Sequence, residues 1–169
     1  MKIISGNLVQ SLVGDPSRLQ VIVQQVNAQG VMASGIAKEI REKYPKVWSD
    51  YSAEVEAYVT PYVASRHAFG IDRLGKVIVT EVQPNLLVAS IVGQQFYGRE
   101  QGFKYTSYDA LDDGLRILAG LLMDLDAEIH HPRIGCGLGG GRWSIVKAII
   151  KEHLGPDTTL WNLETSYDS

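Results

Sequence analysis

Two segments of the chain share one order of features: a β-branched apolar run, a glycine-bearing turn and an amphipathic helix pattern. In the first, the run 19–26 (LQVIVQQV) meets Asn27, and a turn with two glycines follows. In the second, the run 127–134 (AEIHHPRI) passes into the glycine-rich turn 135–141. Continuous β-branched runs are typical of strands that are buried on both faces. Repeated strand–turn–helix units indicate an α/β fold.

The remaining pattern adds a hairpin and further helices to these units. Two β-rich runs flank Gln83-Pro84-Asn85 and predict a hairpin over 76–92. At the start of one helix pattern, Thr106 and Asp109 have capping-box spacing. Pro132 is expected to push the end of its strand toward a sheet edge. The predicted helices cover 34–44, 46–58, 106–125 and 142–154, and short strands are predicted at 1–4 and 158–163. The mixture predicts an α/β sandwich around a mixed sheet.

Length and charge limit the classes of partner. The 169 residues fit one domain, 1–169, with a substantial core. A net charge of -3 argues against non-specific nucleic-acid binding, which requires a basic surface, so a nucleic-acid partner is not expected. The same charge is compatible with a small anion held by backbone amides.

Cysteine content and hydropathy limit the cellular compartment in which the protein is expected. The single cysteine, Cys136, excludes a disulfide framework and a cysteine-cluster zinc site, and it favours a reducing cytoplasm. No apolar run has the length of a membrane span, and the N-terminal residues are too polar for a signal peptide. We therefore expect a cytoplasmic protein, in the host cytoplasm if the source is a virus, with no membrane partner.

The two turns together predict an anion-binding site. Glycine allows positive φ and close approach of a ligand to the backbone. The helix that follows presents free N–H groups and the positive end of its dipole to the turn. Two such turns in one small domain could hold a diphosphate from both sides. The alternative is that both are tight connections that hold nothing.

Two other motifs overlap the second turn. Gly135, Gly137 and Gly140 spell G-x-G-x-x-G, the dinucleotide fingerprint, but only one strand follows, whereas the fingerprint belongs at the first strand of a longer doubly wound sheet. Cys136 and Arg142 match the C-x5-R spacing of cysteine-dependent phosphatases, in which a thiolate attacks phosphorus. Gly135 and Trp143 replace residues usual in that motif, so the match is partial.

The histidines do not form a ligand pattern. His130 and His131 are adjacent on a strand and point to opposite faces, and His67 and His153 lie elsewhere. We therefore predict no metal and no cofactor. The loop between Gly93 and Tyr108 carries Arg99 and Lys104 and could be either solvated surface or a mobile lid.

Three stretches, VNAQGVMASGIAKEI, IVGQQFYGRE and HHPRIGCGLGGGRW, occur in an order and spacing that resemble a macrodomain. The resemblance spans nearly the whole chain, from Ser5 to Leu163. It is nearest to ADP-ribose 1''-phosphate phosphatases of yeast and phage type, terminal ADP-ribose glycohydrolases and antitoxins that remove ADP-ribose from DNA thymidine. It implies a three-layer α/β/α sandwich and, as ligand, ADP-ribose or ADP-ribose 1''-phosphate.

The resemblance also implies a set of site residues. Asn7 and Leu8 would lie beside adenine, with Asn7 where many members have Asp, and Trp161 would lie near the same pocket. Asn27 would contact the distal ribose. Two loops would enclose the diphosphate. The implied ligand-binding residues are Asn7, Leu8, Asn27, Gly30, Val31, Met32, Ser34, Gly35, Ile36, Gly135, Cys136, Gly137, Leu138, Gly139, Gly140 and Trp161.

Departures from the family concern catalysis. The glycohydrolases use a Lys where this chain has Gln94 and Gln95, and an Asp where it has Gly139. Gln95 also replaces a His that is frequent in phosphatase-like members. With Asn27 and Gln95 as catalytic candidates, we predict an ADP-ribose-binding hydrolase that acts on ADP-ribose 1''-phosphate or a related ADP-ribosyl derivative. The alternatives are a non-catalytic binding module and a glycohydrolase acting on modified protein or DNA.

Overall fold

The computed structural model describes residues 1–57 and 70–163. In these ranges the chain forms six strands and five α-helices, with a 3-10 turn at Ile71–Arg73. In chain order they are β1 (Lys2–Ser5), α1 (Leu8–Ser11), β2 (Leu19–Asn27), α2 (Gly35–Lys43), α3 (Pro45–Ala57), β3 (Val77–Gln83), β4 (Leu86–Gln94), α4 (Tyr108–Leu122), β5 (Ala127–His131), α5 (Trp143–Leu154) and β6 (Thr158–Asn162). No helix in the described ranges is long and apolar enough to cross a membrane.

The strands form one mixed sheet in the order β1-β6-β5-β2-β4-β3. All neighbouring pairs are parallel except β3 and β4, which are antiparallel as expected for the predicted hairpin. The hairpin turns at Asn85, whose φ of 60° lies in the left-handed region that asparagine tolerates. The carboxyl ends of β2, β4 and β5 therefore lie side by side at one edge of the sheet.

Helices cover both faces of the sheet and enclose two cores. On one face, α1, α2 and α3 pack through residues such as Ile40 and Tyr51 against Ile22 and Val26 of β2. On the other face, α4 and α5 pack against the alternate β2 residues, including Val23. Because β2 is apolar on both faces, it takes a central place in the sheet. The three-layer α/β/α architecture with a mixed sheet confirms the predicted fold class.

The two predicted strand–turn–helix units are present, with shifted ends. β2 extends one residue further, to Asn27, and α2 begins at Gly35 after the N-cap Ser34. β5 ends at His131, not at residue 134. Because β5 lies between β6 and β2, the expectation that Pro132 would mark a sheet edge was wrong. Pro132 instead comes directly after the last paired residue of β5, so its lack of an N–H removes no hydrogen bond from the sheet.

The start of α4 also differs from the sequence prediction. The helix begins at Tyr108, and its N-cap is Ser107, whose hydroxyl accepts the N–H of Ala110 at 3.2 Å. Thr106 is therefore not a capping residue; its side chain is buried beneath the loops described below. Two further differences are that α1 and the 3-10 turn were not predicted. Residue 58 of the predicted helix 46–58 lies outside the described residues.

Candidate functional site

A cavity of about 450 Å³ opens at the carboxyl ends of β2, β4 and β5. In open α/β sheets this edge is where ligands bind. The lining comes from the strand ends, from the connections that follow them and from the residue after β6: Gln25, Val26, Asn27, Val31, Ala33, Ser34, Gly35, Ile36, Ala37, Gln94, Tyr97, Gly98, Arg99, Pro132, Arg133, Ile134, Gly135, Gly137, Leu138, Gly139 and Leu163.

The Asn27 loop, residues 27–34, forms one side of the cavity and is shaped by the Asn27 side chain. Oδ1 of Asn27 accepts the N–H groups of Gln29 at 2.9 Å and Val31 at 3.3 Å. Nδ2 donates to the carbonyl oxygen of Val31 at 2.7 Å. An asparagine that bonds backbone groups two and four residues ahead fixes a turn. Asn27 therefore organises the loop and also lines the cavity, and its contact with a ribose stays a prediction.

Tyr51 of α3 supports this loop from below. Its hydroxyl donates to the carbonyl oxygen of Asn27 and accepts the N–H of Gly30 at 3.0 Å. Burial raises the pKa of Tyr51 well above its ordinary value, so the hydroxyl keeps its proton. In the sequence, Tyr51 was only one residue of the predicted helix 46–58. Its role in the loop was missed because the partner lies 24 positions earlier in the chain.

The first turn of α2 borders the cavity with free amides. Ser34 is the N-cap but makes no capping hydrogen bond with its side chain. Gly35, at φ 55°, adopts a left-handed conformation that favours glycine. The N–H groups of a helix's first turn have no partner within the helix and attract anions. These amides lie at the lining positions Ser34 to Ala37.

The glycine loop, residues 135–141, forms the opposite side and requires glycine for space. A Cβ on Gly139 would lie 2.4 Å from Oγ1 of Thr106 and 2.6 Å from the carbonyl oxygen of Gly135. The carbonyl of Gly139 accepts the N–H groups of Tyr105 at 2.9 Å and Thr106 at 3.0 Å. Within the described residues, the N–H groups of Gly137 and Leu138 meet no protein acceptor, which leaves them available to a ligand.

The floor of the cavity is a chain of side-chain amides. Nε2 of Gln25 donates to Oε1 of Gln94 at 2.6 Å and to Oγ1 of Thr106 at 3.0 Å. Gln94 in turn donates to the carbonyl oxygen of Phe96 at 2.7 Å. Oε1 of Gln25 is buried without a hydrogen-bond partner among the described residues. The floor is thus polar, neutral and held by side chains from β2 and β4.

Gln94, and not the predicted catalytic candidate Gln95, reaches the cavity. Gln94 is the last residue of β4 and lines the site, whereas Gln95 follows the strand and is absent from the lining. The carbonyl of Gln95 accepts Nε2 of Gln29 at 2.9 Å, which joins it to the outer side of the Asn27 loop. The sequence could not separate the two glutamines because the end of β4 decides which one faces the cavity.

Cys136 does not have the surroundings of a phosphatase nucleophile. Its Sγ donates to the carbonyl oxygen of Ile134 at 3.3 Å, and the side chain packs with the core beneath α4 and α5. Burial raises the pKa of the Cys136 thiol, whereas an attacking thiolate requires a lowered pKa. Arg142 is exposed and contributes its backbone N–H to the hydroxyl of Tyr108 at 2.9 Å. The C-x5-R spacing therefore forms no phosphate loop here.

Asn7 and Leu8, the predicted neighbours of adenine, make their contacts with other parts of the protein. Asn7 caps α1 by accepting the N–H of Gln10 at 3.0 Å, and its Nδ2 donates to Oε2 of Glu39 at 2.6 Å. Leu8 is 4% exposed and belongs to the core beneath α1 to α3. Neither residue lines the cavity.

Four other predicted contact residues also lie outside the lining. Met32 is 1% exposed and points into the core. Gly30 bonds Tyr51, and Gly140 packs against the backbone of Phe103. Trp161 donates its Nε1–H to Nδ1 of His130 at 3.1 Å and packs at the edge of the first core. Their roles as ligand contacts remain predictions.

Both histidines of β5, His130 and His131, are buried, and burial favours their uncharged form. Burial lowers the pKa of His130 and of His131 below the ordinary value of histidine. Trp161 bonds His130 on one face, while His131 lies between the carbonyl oxygen of Pro132 at 2.8 Å and Oγ1 of Thr158 at 3.0 Å. The two rings therefore point to opposite faces, as the sequence indicated.

One group of metal-ligand side chains occurs in the described part of the chain, away from the cavity. Asp112 of α4 and the adjacent Glu152 and His153 of α5 bring their ligand atoms within 4.8 Å of one another. His153 and Asp112 already form a direct contact of 2.8 Å. None of the three lines the cavity. The expectation that the protein uses no metal remains a prediction.

The charged side chains that line the cavity are both arginines. Arg99 follows β4, Arg133 follows β5, and both are exposed. The lining contains no aspartate or glutamate among residues 1–57 and 70–163. Lys104, which the sequence grouped with Arg99, instead donates to the carbonyl oxygen of Thr106 at 2.9 Å. Arg133 was missed, although its position at the end of a β-rich run could have indicated it.

The structure brings together nine of the predicted site residues and adds a floor and an apolar end. The nine that line the cavity are Asn27, Val31, Ser34, Gly35, Ile36, Gly135, Gly137, Leu138 and Gly139. Val26, Pro132 and Leu163 contribute an apolar part of the lining that the sequence did not indicate. These three come from different strands and loops, so no local pattern could group them.

Comparison with known proteins gives one curated relative. No protein-family model matches the chain. A DNA ADP-ribosyl transferase–DNA ADP-ribosyl glycohydrolase fusion protein of Thermosipho africanus is 26% identical over 152 residues, which cover 82% of this chain. The chain spans about a third of that relative's length, since the match covers 36% of it.

Solved structures align with this chain over nearly its whole length. The DarTG protein of Thermosipho africanus in complex with ADP-ribose aligns at a TM-score of 0.69 and 19% identity over 98% of this chain and 42% of that one. A macrodomain protein of Streptomyces coelicolor aligns at a TM-score of 0.71 and 26% identity over 95% of this chain and 97% of that one. With helices on both faces of a mixed sheet and this alignment over nearly its whole length, the chain has the fold of a macrodomain.

Proposed function

We propose that the cavity binds ADP-ribose, with the diphosphate between the Asn27 loop and the glycine loop. The observation that carries this proposal is the pair of opposed loops with free amides, at Ser34 to Ala37 on one side and Gly137 and Leu138 on the other. Backbone amides at a helix N-terminus suit phosphate oxygens. The volume of about 450 Å³ is within the range of small-molecule sites.

The rest of the lining supports the same ligand. Val26, Pro132 and Leu163 offer apolar surface for a base, and the amides of the floor offer hydrogen bonds to a ribose. Arg99 and Arg133 add positive charge where no carboxylate of the described residues opposes it. The related DarTG protein was solved in complex with ADP-ribose.

Calorimetry with ADP-ribose tests binding. We expect a dissociation constant in the micromolar range, about -8 kcal/mol. Gly137→Glu should abolish binding, because position 137 has open space toward the cavity and the new carboxylate would repel the diphosphate. Gly120→Glu is the matched control, since Gly120 also has open space but lies on α4 outside the lining. Failure of the unaltered protein to bind ADP-ribose would remove the proposal.

Hydrolysis of an ADP-ribosyl derivative is a finer proposal, supported by the similarity to a protein whose name includes a DNA ADP-ribosyl glycohydrolase. The sequence resemblance favours ADP-ribose 1''-phosphate as the substrate, with ADP-ribosylated DNA or protein as the alternative. The described lining holds no Asp, Glu, His, Lys or Cys that could act as acid, base or nucleophile. The lining also carries the hydroxyls of Ser34 and Tyr97, and the proposed source of acceleration is the positioning of a water and the distal ribose by Asn27 and Gln94.

Two product assays separate hydrolysis from binding alone. Release of inorganic phosphate from ADP-ribose 1''-phosphate reports the phosphatase reaction, and release of ADP-ribose from ADP-ribosylated DNA or protein reports the glycohydrolase reaction. Gln94→Ala should reduce either rate by at least about tenfold if Gln94 positions the water. A protein that binds ADP-ribose yet forms neither product is a non-catalytic binding module.

A further inference from the structure

The segment between β4 and α4 closes on itself directly beside the glycine loop. Gln94 and Thr106 form an isolated antiparallel bridge, which joins the two ends of the intervening loop, residues 95–105. This loop places Tyr97, Gly98 and Arg99 in the lining. The base of the loop is therefore closed by the Thr106 bridge and by the adjacent bond from the N–H of Ser107 to the carbonyl oxygen of Gly93 at 2.8 Å.

Besides accepting Lys104 at its carbonyl, Thr106 makes three hydrogen bonds that connect different parts of the site. Oγ1 donates to the carbonyl oxygen of Gly135 at 2.8 Å and accepts Nε2 of Gln25 at 3.0 Å. The backbone N–H donates to the carbonyl oxygen of Gly139 at 3.0 Å. Thr106 is 1% exposed and does not line the cavity, so it cannot contact a ligand there.

Close backbone packing joins the same two loops. A Cβ on Gly140 would lie 2.7 Å from the carbonyl oxygen of Phe103, and one on Gly139 would lie 2.4 Å from Oγ1 of Thr106. Real Cβ atoms do not approach other atoms this closely, so the glycines are what allow the two loops to touch. The 95–105 loop therefore rests on the glycine loop without a gap at these positions.

We propose that Thr106 is a positioning residue that couples the 95–105 loop to the glycine loop and holds the free amides of Gly137 and Leu138 in their binding orientation. The proposal rests on the proposed binding of ADP-ribose. The Thr106 hydroxyl carries this role. It donates to the carbonyl oxygen of Gly135, the first residue of the glycine loop, and accepts the side-chain amide of Gln25 in the cavity floor. Loss of that hydroxyl should loosen the loop, although no ligand contact is removed.

A second buried hydroxyl provides a matched control. Oγ of Ser90 on β4 accepts Nε2 of Gln24 on β2 at 2.9 Å, so this bond too pairs a β2 glutamine with a buried hydroxyl. Ser90 is completely buried, lies outside the lining and makes no contact with the glycine loop through this bond. Ser90→Ala therefore removes the same kind of hydrogen bond, from a β2 glutamine to a buried hydroxyl, at a site away from the glycine loop.

The experiment measures ADP-ribose affinity by calorimetry for Thr106→Ala, Thr106→Ser and Ser90→Ala, well below each variant's midpoint of unfolding. We expect Thr106→Ala to weaken binding about tenfold, the scale of one hydrogen bond. Thr106→Ser keeps the hydroxyl and should stay within about twofold of the unaltered protein, as should Ser90→Ala. If Thr106→Ala does not fold, Thr106→Cys replaces it, because a thiol is a weak hydrogen-bond partner.

A ligand-free measurement separates this proposal from the proposed function. Amide hydrogen exchange should be faster across residues 135–141 in Thr106→Ala and unchanged there in Ser90→Ala. Unchanged exchange and affinity in Thr106→Ala would overturn the positioning role. Equal losses of affinity in Thr106→Ala and Ser90→Ala would also overturn it, since they indicate general destabilisation. If the unaltered protein does not bind ADP-ribose, the proposed function fails, and the exchange result alone decides whether Thr106 holds the loop.

Discussion

The two loops that face each other across the cavity are held by opposite means. The Asn27 loop is held by polar side chains: the amide of Asn27 bonds three backbone groups, and the hydroxyl of Tyr51 bonds two more. The glycine loop is held by the absence of side chains, which lets its backbone meet the 95–105 loop and Thr106 directly. The Asn27 loop therefore depends on side chains that are present, and the glycine loop depends on positions that carry no side chain.

This difference predicts opposite sensitivities to substitution. Removing a side chain should damage the Asn27 loop because buried backbone groups lose their partners. Adding a side chain at Gly139 or Gly140 should damage the glycine loop because no space exists there for a Cβ. If both loops present amides to one diphosphate, each kind of substitution should weaken the same binding equilibrium.

The largest effect is expected for Gly139→Ala. Its Cβ would meet Oγ1 of Thr106 and the carbonyl oxygen of Gly135 at distances of 2.4 and 2.6 Å, so the glycine loop must move. We expect a loss of about 3 kcal/mol in the free energy of unfolding and a loss of ADP-ribose affinity of about 100-fold or more. Denaturant unfolding and calorimetry measure the two quantities.

The control in the same loop is Gly137→Ala. A Cβ there meets no atom within 4 Å, so the free energy of unfolding should change by less than about 0.5 kcal/mol. Equal destabilisation by the two alanines would show that the loop tolerates or rejects any side chain regardless of space. That result would remove the distinction between the two loops.

The next largest effect is expected for Asn27→Ala. The substitution leaves the N–H groups of Gln29 and Val31 and the carbonyl oxygen of Val31 without their partner. We expect a loss of about 2 kcal/mol in the free energy of unfolding, measured by denaturant titration. Ser34→Ala in the same loop is the control, since Ser34 makes no capping bond; a similar loss there would contradict the role given to Asn27.

A smaller effect is expected for Tyr51→Phe, which removes one hydroxyl from beneath the Asn27 loop. The carbonyl of Asn27 loses its donor, and the N–H of Gly30 loses its acceptor. We expect a loss of about 1 to 2 kcal/mol in the free energy of unfolding. In a double-mutant cycle, Tyr51→Phe and Asn27→Ala should be less than additive because they support the same loop. Full additivity would mean that the two side chains act independently.

The sequence predicts the boundaries of the Asn27 loop better than those of the glycine loop, since β5 ends at His131 and not at residue 134. The β2–turn–α2 unit was predicted to within one residue at the turn, because β-branched runs, glycines and a helical stripe are local signals. The two turns were likewise assigned to one site, because parallel strands bring their carboxyl ends to one edge.

What the sequence could not predict depends on long-range contacts. Thr106 was assigned to a helix cap because Asp109 has the right spacing, but its hydroxyl bonds Gly135, 29 residues later. The choice of Gln94 over Gln95 depends on where β4 ends. The support of the Asn27 loop by Tyr51 depends on how α3 packs. Each is decided by tertiary packing, which single-residue patterns do not contain.

The smallest expected effect concerns pH and the strand that leads into the glycine loop. Burial lowers the pKa of His131 below the ordinary value of 6.5, whereas burial raises the pKa of Tyr51 on the other side. The unfolded chain therefore binds a proton at His131 at a higher pH than the folded chain does. The stability that neutral His131 contributes is complete above the unfolded pKa and is lost as the pH falls below it.

We therefore expect the free energy of unfolding to decrease between about pH 7 and pH 5, by at most about 1.4 kcal/mol per pH unit for each histidine. Denaturant titrations at several pH values measure the slope. His131→Gln should show a shallower slope, with a remainder from His130, whose pKa is also lowered by burial. Tyr51→Phe should leave the slope unchanged, because a tyrosine with a raised pKa does not titrate in this range. An unchanged slope in His131→Gln would mean that acid acts elsewhere and that the two sides of the cavity do not differ in pH response.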